Sequence, residues 1–169
     1  MLKKLCRWLS MLSPVCFLLP LLVNTWCVER KETKLLEAEV VDSWKLLNTP
    51  EEYLADGVIF NNTWIKIFGI LVIVALVFAV ILLVVYLLNS LKVTKLGKLE
   101  KPLAIILTVA SLLVLVCGLV AIFTNAHIGL DLVVTTTDTA RLLPALGFYF
   151  AGICGFVLSL FAVFGSKSK

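Results

Sequence analysis

The stretch Gly147–Ser159, GFYFAGICGFVLS, decides the fold. Gly147, Ala151, Gly155 and Ser159 fall at a strict spacing of four, with Gly152 one position off the line. That spacing places them on one face of a helix. Between them stand Phe, Tyr, Ile, Val and Leu, and no charge. In water each Gly weakens a helix by about 1 kcal/mol relative to Ala. In lipid the backbone has no other hydrogen-bond partner, so the segment is forced to be helical. A small-xxx-small face then lets a second helix approach closely. The stretch is therefore read as the packing spine of a membrane helix.

The rest of the chain agrees. Of 169 residues, 61% are hydrophobic, and the mean hydropathy is +1.07. A soluble domain is about 45–50% apolar. The expected fold class is an all-α membrane protein, a four-transmembrane-helix bundle in one domain over residues 1–169. Its spans are expected at about 8–27, 64–91, 102–124 and 142–165, with a short, partly helical first extracellular loop at 28–63.

Charge sets the expected topology. Lys3, Lys4, Arg7, Lys92, Lys95, Lys98, Lys101, Lys167 and Lys169 share one side with a single acid, Glu100. The other side holds ten acids and six cations. Basic loops mark the cytoplasmic side. The reading is an integral protein of the cell membrane with both termini cytoplasmic. The same lysines would attract anionic headgroups, although a plain topology determinant accounts for them. Nothing in the basic balance calls for nucleic acid.

In the first span, Pro14 and Pro20 are expected to kink the helix, and Trp8 and Trp26 to mark its two interfaces. A cleaved signal peptide over residues 1–27 is the alternative. Cys6, beside the basic cluster, reads as a small residue, with palmitoylation as the other option. The second span has few small residues (Gly69, Ala75, Ala79) and is expected to be the most lipid-exposed of the last three. In the third, Ala104, Ser111 and Gly118 repeat at seven, with Ala110, Cys117 and Thr124 beside them, a seam of coiled-coil period. This seam is expected to pair with the Gly147 face, so that the last two spans form the tightest contact. Gly155→Leu should then separate them, whereas the same change at Ala79 should be mild.

In the first loop, Leu36, Val40, Trp44 and Leu47 recur at helical spacing. Thr49-Pro50-Glu51-Glu52 is a helix start and Asp56-Gly57 a stop. Two short helices over the bundle mouth are expected, with a strand at Glu39–Leu47 as the alternative. Asn61-Asn62-Thr63 is a glycosylation sequon, too close to the membrane to expect use. In the second loop, Asp138 is a candidate cap for the last helix and Pro144 should fall early in it. Trp44, Glu51, Glu52, His127 and Asp131 are the candidate outer-face interaction residues. Asn125, His127 and Asp131 lack regular metal-ligand spacing, so no metal and no cofactor is expected.

No Asp, Glu, Lys, Arg or His occurs in 67–91, 103–124 or 142–165. Intramembrane ionisable groups mark proton relays and ion pathways, and Ser, Thr or Cys is a nucleophile only beside a base. The sequence therefore argues against coupled transport and against intramembrane catalysis. Four spans, inside termini, a larger first outer loop, a short basic inner loop and a short second outer loop resemble the claudin and peripheral-myelin-protein family in topology. The W-GLW-C-C signature of that family is missing, because the first loop has Trp44 and no cysteine pair. What the resemblance implies is an adaptor, an adhesion element or an auxiliary subunit. The expected function is association without catalysis, in the lipid bilayer, as a homo-oligomer or within a larger membrane complex. A homo-oligomeric pore or facilitator with an apolar lumen is the alternative, and an enzyme at the His127 face the third.

Overall fold

The computed structural model describes residues 2–23, 25–31, 36–41, 62–91, 96–124, 128–129 and 139–166. The elements run α1 (Leu2–Ser10), α2 (Ser13–Leu22), β1 (Trp26–Lys31), β2 (Leu36–Val41), α3 (Asn62–Ser90), α4 (Gly97–Thr124), β3 (Ile128–Gly129) and β4 (Thr139–Pro144). A last helix follows in three parts: α5 (Leu146–Phe148), a π-helical segment (Tyr149–Cys154) and α6 (Gly155–Gly165). Four helical stretches are long and apolar enough to cross a membrane: Leu2–Leu22, Thr63–Ser90, Gly97–Thr124 and Leu146–Gly165.

The first span is broken at Met11-Leu12, where each N–H bonds three residues back, to the carbonyls of Trp8 and Leu9. Pro14 lies just beyond, in the first turn of α2, where its missing N–H costs nothing. Pro20 is carried inside α2. The hydroxyl of Thr25 donates to the Pro20 carbonyl at 3.2 Å and closes the helix end.

The central pair is α3 and α4. Ile65, Phe68, Val72, Ala75, Ala79, Leu82 and Tyr86 are buried on α3 at alternating steps of three and four. Glu100, Ala104, Leu107, Ser111, Val114, Gly118 and Ala121 are buried on α4 in the same rhythm. Two such stripes interlock as in a coiled coil. The second span therefore owns a core face. Ala79 is 1% exposed and sits in that face, which is at odds with the mild effect expected of a large residue there.

The last helix keeps Gly147, Ala151, Gly155 and Ser159 buried along one side. An α-helix turns about 100° per residue, so three steps of four drift by about 120°. The π segment, which closes i→i+5 bonds, takes back roughly one residue of that rotation. It is what keeps a strict four-residue spacing on one side.

That side does not serve the third span alone, which corrects the expected dominance of the last two spans. A Cβ on Gly155 would lie 2.7 Å from the Phe17 ring of α2, and one on Gly165 2.7 Å from the Arg7 backbone nitrogen of α1. A Cβ on Gly152 would lie 3.2 Å from Leu115 of α4. The last helix is therefore wedged between the first and third spans.

At one end the loops form a four-stranded antiparallel sheet of order β2-β1-β4-β3. In the register, Trp26 faces Val41 on one side and Pro144 on the other. This corrects the helix expected from Leu36 and Val40, which instead form a strand. Pairing to β1 overrides the helical spacing at Leu36 and Val40, the two of its four residues that are described. The helix expected at Thr49–Gly57 lies outside the described residues, as do Trp44, Leu47, the sequon's first residue Asn61 and Asp138.

Three span limits are corrected as well. The first helix ends at Leu22, not at Cys27, because Trp26 and Cys27 belong to β1. The last begins at Leu146, because Leu142–Pro144 complete β4. The third begins at Gly97, which brings Glu100 inside the helix and leaves Pro102 beyond its first turn. Trp26 is not an interfacial marker. It is 0% exposed and packs edge-on to Phe68 at 5.1 Å and tilted against Phe148 at 5.6 Å. Trp8 is 70% exposed and lies within α1, not at the start of the span.

Candidate functional site: a buried ion pair where the spans meet

The bundle end opposite the sheet carries the polar centre of the molecule. Arg7, on α1, donates from Nη2 to Oε1 of Glu100 on α4 at 2.7 Å. Asn89, near the end of α3, donates from Nδ2 to the same oxygen at 2.7 Å. The Arg7 guanidinium carbon lies 4.6 Å from the centroid of the Tyr86 ring, also on α3. The Tyr86 hydroxyl donates to the carbonyl of Ala162 on α6 at 3.3 Å. Ser10 donates to the Arg7 carbonyl at 2.8 Å. First, second, third and fourth spans all contribute to this one cluster.

Local sequence explains the arrangement. Arg7 and Ser10 are three apart, so both lie on the side of α1 that faces α6. Gly165 has no side chain, which is what allows the Arg7 backbone to come so close. Tyr86 and Asn89 are likewise three apart and point together from α3. Glu100 occupies the first position of the buried α4 stripe. A carboxylate at 0% exposure is tolerated because a guanidinium and an amide converge on it.

A second polar cluster lies deeper. The Ser111 and Ser159 hydroxyl oxygens are 2.7 Å apart, and Thr108 donates to the Ala104 carbonyl at 2.8 Å or to the Ser159 carbonyl at 3.0 Å. Ser111 and Ser159 also have their own helix carbonyls in reach, of Thr108 and Phe156. These hydroxyls join α4 to α6. Among the described residues, their hydrogen-bond partners include no carboxylate or imidazole.

Of the packing residues expected from sequence, Ser111 and Ser159 touch directly. Gly118 is closest to Phe148 and Phe68, with a Cβ there 2.5 Å from the Phe148 ring. Ala104, Ala151 and Gly147 are buried. Trp44, Glu51, Glu52, His127 and Asp131 lie outside the described residues. Cys6, Cys16 and Cys117 are buried free thiols, and Cys154 is an exposed one.

The sequence reading missed the Arg7–Glu100–Asn89–Tyr86 cluster. The available signal was Glu100 itself, the one acid on a side with nine cations.

Fold and cluster together define a helical bundle with four helices long and apolar enough to span a membrane, joined among the described residues by an ion pair at one end and a small sheet at the other. Compared with known proteins, the chain matches no family model and no curated sequence.

Proposed function

We propose that this chain works by association: a non-enzymatic adaptor, scaffold or auxiliary subunit of a membrane complex, or a homo-oligomer. The observation that carries the reading is the joining of all four spans through Arg7, Glu100, Asn89 and Tyr86 at one end, with β1 and β4 joining the two loops at the other. A body fastened at both ends is suited to presenting fixed surfaces. Its mid-span hydroxyls are engaged with one another and with the backbone, and ionisable groups for a proton or ion path are missing from the mid-span sequence.

By the charge rule, the ion-pair end and both termini face the cytoplasm and the sheet faces outward, in the cell membrane. Exposed apolar residues of α3 and α4, among them Val77, Val84, Val109 and Val116, face lipid or neighbouring helices. Capture of the tagged full chain in mild detergent, followed by mass spectrometry, should recover a defined stoichiometric partner or a homo-oligomer. A lone monomer, or solute flux through protein-loaded liposomes, would overturn the reading. Protease protection of tags at the two termini checks the orientation.

A further inference from the structure

We propose that the ion-pair end is a binding surface for anionic phospholipid headgroups, built by withdrawing the local acid into the bundle. The inference rests on insertion in a membrane with this end at headgroup level. Lys3 and Lys4 precede Arg7 by four and three residues, so they stand one turn away on its side of α1. Lys98 and Lys101 flank Glu100 on α4 and share a side by their spacing of three. All four lysines are exposed. Glu100 is fully buried and held by Arg7 and Asn89. The bond between Arg7 and Glu100 therefore does two things. It brings the two lysine pairs within about a helical turn of one centre, and it hides the carboxylate that would otherwise neutralise one of them.

The depth is set by the same helix. Leu2, Leu5 and Trp8 on α1, and Leu12 in the break after it, are exposed and apolar, so they belong in the acyl region while Lys3 and Lys4 reach the headgroups. Four mobile ammonium groups around a hidden carboxylate match the phosphate and acidic headgroup of phosphatidylglycerol or phosphatidylserine. A zwitterionic headgroup gains much less from them.

Among the described tryptophans Trp8 is the one at this end, since Trp26 and Trp64 lie toward the sheet. The full chain is reconstituted in phosphatidylcholine vesicles containing a minor share of brominated phosphatidylglycerol, or the same share of brominated phosphatidylcholine. Subtracting a Trp8→Phe sample isolates the Trp8 signal. Stronger quenching by the brominated anionic lipid is expected, weakening with salt. Each Lys→Gln change among Lys3, Lys4, Lys98 and Lys101 should cut the preference by up to about fivefold. The quadruple Lys→Arg variant should keep it. Equal quenching by the two lipids overturns the proposal. So does a preference that survives in a folded quadruple Lys→Gln variant; if that variant does not fold, the Lys3→Gln/Lys4→Gln double variant decides. No quenching by either lipid means that this end is not in a bilayer, and the membrane reading fails with it.

Discussion

The two ends of the bundle solve one problem with different chemistry. At the sheet end, backbone hydrogen bonds between β1 and β4 fasten the first loop to the second, and Trp26, Phe68 and Phe148 fill the space beneath. At the other end, side chains do the fastening, and a single carboxylate receives donors from Arg7 and Asn89. Backbone pairing tolerates substitution because almost any residue supplies the groups. A buried ion pair does not, since removing one partner strands the other's charge. Sensitivity to mutation should therefore be strongly asymmetric between the ends.

The largest effect is expected at Glu100. Glu100→Ala leaves the Arg7 guanidinium without its anion and should cost about 3–5 kcal/mol, seen as a lower midpoint of thermal unfolding in detergent. Combining Arg7→Met with Glu100→Leu should restore much of that loss, because no uncompensated charge remains. Losses that simply add would show that the two residues are not coupled.

Next comes Gly155→Leu, whose side chain enters the Phe17 ring and should cost about 1–3 kcal/mol by overpacking. A second change, Phe17→Ala, should relieve part of it, whereas a change on α4 should not. Ala79→Leu, inside the α3–α4 stripe, is expected to be comparably harmful, and the same unfolding assay ranks the two. Smaller still is Ser111→Ala, about 0.6 kcal/mol, as for other interhelical hydroxyl bonds in membranes. At the sheet end the sharpest readout is local. Amides of β1, paired on both sides, should exchange more slowly than those of β2, paired to β1 alone. Equal rates along the two strands would break the contrast drawn here.

The spans were legible because long uncharged runs such as Ile67–Leu91 admit one reading in lipid. Their ends were not. Trp26 looked like an interface marker because Trp favours that depth, yet its place is fixed by Phe68 and Phe148, which sequence spacing cannot join. Leu36 and Val40 matched a helical period by chance, and β1, their partner, carries no alternation strong enough to announce a strand. Glu100 was counted with the basic turn because its helix starts five residues earlier than Pro102 suggested. Gly147, Ala151, Gly155 and Ser159 were read as a face packed on the third span; they are buried, but Gly155 meets Phe17 of the first. The π segment that keeps Ser159 on their line was not read from the sequence. Which neighbour each glycine admits, Phe17 or Leu115 or the Arg7 backbone, depends on three helices at once.

The bond from Arg7 to Glu100 spans 93 residues of chain, and β1 waits longer still for β4. A ribosome that has released the first span and β1 has therefore made pieces whose partners do not yet exist. During that interval Arg7 lacks the Glu100 carboxylate, and the β1 edge lacks β4. Folding of the bundle is thus a closing of early segments by late ones, and the helix over Leu146–Gly165 is the one that seals the first.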